Sequence, residues 1–239
     1  MVVVNSALGK WHQINSRDGS PSLQWGTQGE PMHHSGGALS ESKYVYGPVW
    51  DFVQTLPRRR ILICGLGLGY LEMLTVLRLG VGDGTEVLSL EKDPTLVEAF
   101  QSFVAGGESS IHERMLQCLA GNDPRVAEQT RKRLFQAYQQ GHYRIGGALV
   151  EGPWDEGYFN GICFDLFSSE TSPELWREDF LRRFLQNAAA KTSIFATYAA
   201  RSTLKRALGA EGFQVIPRSG FAGKRECTLA TRGFDEFQI

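Results

Sequence analysis

The sequence predicts an α/β fold in which helices cover a mostly parallel sheet that ends in an antiparallel hairpin. From residue 57 onward, short apolar runs alternate with helical segments, which is typical of a doubly wound parallel sheet. The first of these runs leads into a glycine-rich turn, and the last two are joined by another. The length of 239 residues and the 42% share of hydrophobic residues suit a single domain with a buried core.

The first 56 residues differ from the rest because they are rich in glycine, serine and short turns. Alternating runs such as Ser22-Leu23-Gln24-Trp25 indicate hairpin strands, and residues 44–52 indicate a helix or a buried segment. We therefore expect residues 1–56 to form a strand- and turn-rich segment that covers a core formed by residues 57–239.

The core elements can be placed in chain order. Apolar runs predict parallel strands over 60–64, 86–90, 148–151, 161–165 and 192–198. Helices are predicted over 69–79, 93–104 and 201–210, and Asp93-Pro94 supplies both an N-cap and a proline at the first helical position. Ser172-Pro173-Glu174 gives the same signal for a further helix. Residues 213–216 and 227–231 form the predicted closing hairpin.

Residues of about 105–145 are predicted to be a helical insertion. Two helices, 111–120 and 124–140, are more than a strand-to-strand crossover needs. In the first of them Ile111, Met115 and Leu119 recur every four residues, which places them on one face of the helix.

Composition and spacing argue against a membrane protein, a disulfide framework and a metal site. No run approaches the roughly 18–20 apolar residues of a membrane helix, and the start of the chain lacks the basic region of a secretory signal, so a cytoplasmic protein is expected. The four cysteines are widely spaced, which predicts reduced core residues. His112-Glu113 lacks the second histidine of a zincin helix, and the adjacent His33 and His34 would face opposite sides of a strand.

The sharpest local motif is Gly65-Leu66-Gly67-Leu68-Gly69-Tyr70, which follows a predicted strand and opens a predicted helix. Glycines there allow a tight turn and a close approach of the backbone to a ligand. A dinucleotide-binding turn would carry glycine in place of Tyr70, whereas G-x-G-x-G is the spacing of class I methyltransferases that use S-adenosyl-L-methionine (SAM). The alternative is a glycine-rich turn that binds nothing.

Two acidic residues lie at the ends of strands of the predicted sheet. Glu91 follows the second strand and Asp165 ends the strand over 161–165, so both are expected at the edge where ligands of open α/β sheets bind. Glu91 there would accept hydrogen bonds from ribose hydroxyls, and Asp165 would accept a proton from an amine nucleophile. The alternatives are a solvated acid for Glu91 and a loop-capping acid for Asp165.

The segments Asp165-Leu166-Phe167-Ser168-Ser169 and Ser172-Pro173-Glu174-Leu175-Trp176 resemble the D-x-F-(S/A)-P…(N/S)-P-(E/D)-(L/M)-W signature of MnmC-like methyltransferases. These correspond to the methyltransferase half of the bifunctional enzyme that makes 5-methylaminomethyl-2-thiouridine at the tRNA wobble position. Four other stretches resemble family motifs in the same order, within 18–23, 29–41, 197–213 and 220–226. Ser169, His34 and Ala199 depart from the family pattern.

The resemblance implies a Rossmann-like class I methyltransferase that binds SAM and acts on the anticodon region of tRNA. It implies that Asp165 faces the reacting amine. The residues implied to bind the cofactor are Gly65, Gly67, Gly69, Tyr70, Glu91, Glu41 and His33. The residues implied to bind the substrate are Tyr198, Lys224 and Arg225.

Charge alone leaves the substrate open, because the net charge of the chain is −1. Residues 124–145 hold five basic residues and one acidic residue, a net +4, and residues 201–225 hold six and one, a net +5. Such segments are able to contact phosphates, although solvated helix faces would give the same pattern. Two alternatives therefore stand beside a tRNA methyltransferase: a methyltransferase of a small-molecule or protein amine, and a degenerate module that binds SAM or a partner.

Overall fold

Two sheets organise the part of the chain that the computed structural model describes, which is residues 8–82, 84–152, 154, 157–167 and 171–233. A two-stranded antiparallel sheet contains β1 (Trp11–Asn15) and β2 (Pro21–Trp25). A seven-stranded sheet follows it along the chain. The first helix, α1 (Ala38–Val53), lies between them in sequence.

Residues of the turn between β1 and β2, about twenty positions earlier in the chain, cap the N-terminus of α1. Gly37 at the N-cap has no side chain to offer, so the amide groups of the first helical turn need other partners. Side chains of the turn supply them: Ser16 accepts from the amide of Ala38 at 3.0 Å, Ser20 from Leu39 at 3.0 Å and Asp18 from Ser40 at 3.1 Å. The hairpin and the helix are therefore held together as one unit.

A proline, Pro48, interrupts the hydrogen bonding inside α1. Because proline has no amide hydrogen, the carbonyl of Tyr44 loses its helical donor. Arg218 donates instead to the carbonyls of Tyr44 at 2.5 Å and Val45 at 3.1 Å. Its guanidinium also lies 4.2 Å from the ring centroid of Tyr44. The guanidinium of Arg218 therefore replaces the hydrogen-bond donor that Pro48 removes from α1.

The seven strands of the main sheet are β3 (Arg59–Cys64), β4 (Thr85–Leu90), β5 (Tyr143–Gly146), β6 (Phe159–Phe164), β7 (Ala189–Thr197), β8 (Gln214–Ile216) and β9 (Thr228–Arg232). Their spatial order is β5-β4-β3-β6-β7-β9-β8. Neighbours pair in parallel except for β9, which is antiparallel to both β7 and β8. This confirms the predicted α/β class, with a mostly parallel sheet and a closing antiparallel hairpin.

Six further helices connect these strands in the described part of the chain: α2 (Tyr70–Leu79), α3 (Pro94–Val104), α4 (Ser110–Leu119), α5 (Pro124–Gln139), α6 (Glu178–Ala188) and α7 (Ser202–Ala210). The predicted cap of α3 is present, because the Asp93 carboxylate accepts from the amide of Thr95 at 2.9 Å. In this part of the chain, no helix has the length and apolar character needed to span a bilayer.

Both faces of the parallel sheet are covered. Ile61 and Ile63 of β3 belong to the hydrophobic cluster that includes α1 to α5, whereas Leu62 and Cys64 belong to the cluster that includes α6 and α7. This explains why the strand reads as a continuous apolar run, since successive residues point to opposite faces. The loops at the carboxyl ends of the strands form the edge that holds the candidate site.

Two local predictions are wrong. Residues 148–151 do not form a strand; Leu149–Glu151 is a short 3₁₀ helix, and the edge strand is β5, whose four residues are too few to stand out as an apolar run. The helix start at Ser172-Pro173-Glu174 yields only the 3₁₀ turn Pro173–Trp176, after which the backbone at Arg177 is extended and α6 begins. Of the four cysteines, Cys64, Cys163 and Cys227 are buried, as predicted for core residues, whereas Cys118 is only half-buried.

Candidate active site

The glycine turn between β3 and α2 combines two packing positions with one open position. All three glycines have positive φ, at 100° for Gly65, 55° for Gly67 and 83° for Gly69. A Cβ on Gly65 would lie 2.3 Å from the carbonyl oxygen of Asp165, and one on Gly69 would lie 2.0 Å from the ring of Phe100. A Cβ on Gly67 would meet nothing nearer than the sulfur of Met32 at 3.6 Å. The backbone at Gly67 is therefore exposed to a ligand.

This turn forms the floor of a cavity of about 380 Å³ at the carboxyl ends of β3, β4 and β6. Nine of the eleven predicted site residues line it: Gly65, Gly67, Tyr70, Glu91, Glu41, His33, Asp165, Tyr198 and Lys224. An apolar part of the wall comes from Leu90, Leu149 and Val150. The cavity thus has the size and mixed lining of a small-molecule site.

Gly69 and Arg225 are not part of the cavity wall. Gly69 forms the left-handed N-cap of α2, and its missing side chain makes room for Phe100 of α3. The side chain of Arg225 is 95% exposed, with its Nε atom 3.9 Å from a carboxylate oxygen of Glu226. The sequence motif places Arg225 next to Lys224, but consecutive residues in extended backbone point in opposite directions.

Glu91 is held in a defined orientation directly after β4. Its Oε2 accepts a hydrogen bond from the amide of Gly67 at 3.2 Å, and its Oε1 accepts one from the amide of Asp93 at 3.0 Å. The carboxylate therefore links the glycine turn to the start of α3. In this position it presents a fixed negative group to the cavity.

Asp165 follows β6 and carries a carboxyl group whose pKa lies near neutrality. Its amide donates to the carbonyl of Cys64 at 2.8 Å, which extends the ladder between β3 and β6. Its Oδ1 accepts a hydrogen bond from the hydroxyl of Tyr46 at 2.7 Å. Burial raises the pKa of Asp165 from 3.8 to about 7, although the hydrogen bond from Tyr46 and the charge of Lys224 both lower it. Such a group exchanges a proton readily at neutral pH.

An ion pair forms another wall of the cavity. The Nζ of Lys224 lies 3.1 Å from Oε1 of Glu41, whose Oε2 accepts from the amide of His34 at 2.6 Å. The same Nζ lies 5.1 Å from the ring centroid of Tyr198, and the Tyr198 hydroxyl donates to the carbonyl of Leu166 at 2.6 Å. Burial raises the pKa of Tyr198 above its usual range, so this side chain stays a neutral hydrogen-bond donor.

His33 and Tyr70 connect the N-terminal hairpin to α2. The Nδ1 of His33 lies 2.8 Å from the hydroxyl of Ser22, and its ring centroid lies 5.1 Å from that of Tyr70. The Tyr70 hydroxyl donates to the carbonyl of Pro21 at 2.7 Å. Burial lowers the pKa of His33 from 6.5 to about 4, so the imidazole is neutral at pH 7.

The three departures from the family pattern differ in their structural consequence. The amide of His34 bonds Glu41, and its ring lies 5.7 Å from that of Phe221. The carbonyl of Ala199 accepts from the hydroxyl of Thr228 at 2.6 Å. Ser169 lies outside the described residues. Within them, no group of three histidine, cysteine or acidic side chains is arranged to hold a metal ion.

Sequence reasoning missed Tyr46 and the apolar wall. Tyr46 lies in the stretch predicted as a helix or buried segment, but nothing local indicates that the helix passes the end of β6. The apolar run that contains Leu149 and Val150 predicts a strand and gives no sign that these side chains line a cavity. A tyrosine in an otherwise apolar run was the one available signal for Tyr46.

Most of the basic side chains in the two positively charged segments have partners. In 201–225, Lys205 pairs with Glu226 at 2.5 Å and Arg206 with Glu178 at 2.8 Å, while Arg218 bonds the carbonyls of α1. In 124–145, Lys132 pairs with Glu128 at 2.5 Å and Arg131 bonds two carbonyls. In 201–225 the pairs with Glu226 and Glu178, which lie outside that window, therefore lower the net charge below the sequence count, whereas in 124–145 Glu128 is already part of the count and the carbonyls carry no charge.

Residues 148–233 match the model of a family described as S-adenosyl-L-methionine-dependent methyltransferase. With the strand order and the glycine turn, this match indicates a SAM-dependent methyltransferase with a Rossmann-like fold. A stretch of 62 residues is 40% identical to the tRNA 5-methylaminomethyl-2-thiouridine biosynthesis bifunctional protein MnmC of Actinobacillus pleuropneumoniae serotype 5b (strain L20), and a serotype 3 (strain JL03) protein of the same name matches equally. That stretch covers 26% of this chain and 9% of the relative.

Two solved structures share the fold. MnmC2 from Aquifex aeolicus superposes with a TM-score of 0.66 at 21% identity, covering 95% of this chain and 73% of that one. Spermidine synthase from Thermotoga maritima superposes with a TM-score of 0.52 at 13% identity, covering 94% and 70%. Taken together, the sequence matches and the fold support an MnmC-like SAM-dependent methyltransferase.

Proposed function

We propose that this chain is a SAM-dependent N-methyltransferase that methylates the 5-aminomethyl group of a wobble uridine in the anticodon region of tRNA. The observation that carries the proposal is the Asp165 carboxylate, with a pKa of about 7, in the same cavity as the glycine turn and Glu91. The name of the Actinobacillus relative supports the choice of substrate. A single domain, with residues 1–56 covering the core, and a cytoplasmic location are parts of the same proposal.

The residues of the cavity fit SAM. The open backbone at Gly67 would allow the cofactor to approach the turn closely, with Gly65 beside it. The oriented Glu91 carboxylate would accept hydrogen bonds from the two ribose hydroxyls. Leu90, Leu149 and Val150 offer an apolar surface for the adenine ring. When bound, SAM supplies an electrophilic methyl group.

The protein's part in the reaction is to orient the amine and to accept its proton. A primary amine attacks only as the neutral base, and it must lose a proton when it is methylated. Asp165 is placed to accept a hydrogen bond from the amine and then that proton, because its pKa is close to neutral. Tyr198 and Lys224 line the adjoining wall and would hold the nucleotide, with Arg225 contacting it from outside the cavity.

The test is transfer of labelled methyl from SAM to tRNA that carries 5-aminomethyluridine. We expect transfer by the wild type and a loss of about 100-fold or more in kcat for Asp165→Asn, which is typical when a general base is removed. Asp51→Asn is the matched control, because Asp51 pairs with Arg78 on the surface and does not line the cavity. SAM binding without transfer to this tRNA would reject the substrate, and an active Asp165→Asn variant would reject the role of Asp165.

One observation favours a second candidate, a methyltransferase of a small-molecule or protein amine. Three of the six basic side chains in 201–225, those of Lys205, Arg206 and Lys224, are paired with acids outside the segment, which lowers the net charge that it offers a polynucleotide. Incubating the enzyme with cell extract, with and without prior nuclease treatment, separates the two candidates. Labelling that disappears after nuclease supports tRNA, whereas labelling that persists supports the alternative substrate class.

A further inference from the structure

We propose that Tyr46 is a positioning residue for Asp165, whose carboxylate it fixes and keeps in the charged form that accepts a proton. This inference rests on the proposed function of Asp165. The hydroxyl of Tyr46 donates to Oδ1 of Asp165 at 2.7 Å and lies 3.5 Å from the carbonyl of Phe164. The contact joins residues 119 positions apart, from α1 to the end of β6.

The Tyr46 hydroxyl can act only as a donor toward Asp165 at any pH of interest. Its side chain is 1% exposed. Burial raises the pKa of Tyr46 well above its usual value, and the neighbouring Asp165 charge raises it further. A hydrogen bond donated to a carboxylate stabilises the charged form over the neutral form. The hydrogen bond from Tyr46 therefore lowers the pKa of Asp165, whereas burial raises it.

The position of Tyr46 is set before any ligand arrives. Its helix is capped at the N-terminus by the turn residues Ser16, Asp18 and Ser20. One turn further on, the indole Nε1 of Trp50 donates to Oγ1 of Thr75 on α2 at 2.9 Å. Between these anchors, Arg218 bonds the two carbonyls that precede Tyr46. The hydroxyl thus meets Asp165 without the cost of ordering a flexible side chain.

Other charged and titratable groups also act on Asp165. The charge of Glu41 raises its pKa, and that of Lys224 lowers it. Cys64, Cys163 and Tyr198 have raised pKa values through burial and stay neutral. Glu72 of α2 interacts with Asp165 through space, and burial raises its own pKa to about 8. All of these groups remain when the Tyr46 hydroxyl is removed, so the variant isolates one contribution.

The experiment compares Tyr46→Phe with Tyr44→Phe in methyl transfer to tRNA carrying 5-aminomethyluridine. Tyr44 lies on the same helix, and its hydroxyl donates to the carbonyl of Ser219 at 2.8 Å, away from Asp165. For Tyr46→Phe we expect the acid limb of the kcat–pH profile to move up by about one to two pH units, with kcat approaching the wild-type value at high pH. Tyr44→Phe should follow the wild type. An equal loss at every pH would overturn the proposal, because a purely structural defect has no such dependence.

A second measurement separates this inference from the substrate assignment. The ¹³C signal of the Asp165 carboxyl, assigned with Asp165→Asn, is titrated in the protein without substrate. If the titration midpoint of Asp165 lies about one to two pH units higher in Tyr46→Phe than in the wild type, the positioning role is supported, even if the wild type transfers no methyl to tRNA. An unchanged midpoint in a variant that melts at the wild-type temperature would overturn it, whatever the substrate proves to be.

Discussion

Replacing Glu72 with glutamine is expected to make the stability of this protein less sensitive to pH. Glu72 lies in the first turn of α2 and is 1% exposed. Its Oε1 accepts a hydrogen bond from the hydroxyl of Ser89 at 2.5 Å, and its Oε2 is buried with no hydrogen-bond partner in the described part of the chain. Burial raises the pKa of Glu72 from 4.5 to about 8, although the Ser89 hydrogen bond opposes this.

The sign of the effect follows from where the proton is bound. Between pH 4.5 and 8 the folded chain keeps a proton on Glu72 that the unfolded chain releases, so the free energy of unfolding falls as pH rises through this window. At about 1.4 kcal/mol per pH unit, the loss reaches about 3 kcal/mol at pH 7 and about 5 kcal/mol well above pH 8. Glutamine keeps an acceptor for Ser89 and has no proton to lose.

The assay is chemical denaturation of the wild type and Glu72→Gln at several pH values from 5 to 9. We expect the difference in unfolding free energy to shift in favour of the variant by about 4 kcal/mol over this range. Burial lowers the pKa values of His33 and His112 from 6.5 to about 4, so these two residues make the unfolding free energy rise with pH in that window. Both histidines are present in the wild type and in the variant, so their contribution cancels in the difference between the two proteins. Glu98→Gln on the exposed face of α3 is the control. Parallel stability curves for the wild type and Glu72→Gln would refute the reasoning.

Two further predictions concern the backbone that carries the site. Gly65→Ala should lower the unfolding free energy by about 3 kcal/mol and impair methyl transfer, because its φ is 100° and the new Cβ would meet the Asp165 carbonyl at 2.3 Å. Gly141→Ala, with φ of 76° at the left-handed position that ends α5 and with open space around it, should lose only about 1 kcal/mol when it is measured in the same way, and equal losses would contradict this account. Asp18→Ala should lose about 1 kcal/mol at pH 7 through the missing cap of α1. Because hydrogen bonds lower the pKa of Asp18 to about 2, despite partial burial, this difference should shrink as pH falls from 3.8 through 2, and a difference that persists in acid would argue against it.

The order of the main strands and helices could be predicted because each carries a local signal. The apolar run of β3, the cap at Asp93 and the closing hairpin depend on neighbouring residues only. Short edge elements gave no such signal. The four residues of β5 are defined by pairing with β4, and the turn at Pro173–Trp176 ends because the backbone at Arg177 is extended.

The net charges counted over residues 124–145 and 201–225 describe poorly which basic side chains are available to a ligand. A net charge counts side chains, whereas an external phosphate responds to those that remain uncompensated. Lys205 and Arg206 show the difference, because their partners Glu226 and Glu178 lie outside the window; Arg218 keeps its charge but is held in place by two carbonyls of α1, one of which has lost its helical donor to Pro48, 170 residues earlier. No window around Arg218 contains that proline. Pairing of this kind has to be read from the fold.

The two sides of the cavity therefore rest on different kinds of evidence. The glycine turn and Glu91 lie outside the segment that matches the methyltransferase family, yet local motifs and backbone geometry bring them to one cavity. The opposite side joins α1 to the end of β6 and to the segment before β9 through contacts of Tyr46 and Glu41 that span more than a hundred residues. Tyr46, Glu41 and Lys224 all act on the pKa of Asp165, so the protonation of this carboxyl group depends in part on contacts that no local stretch of sequence contains.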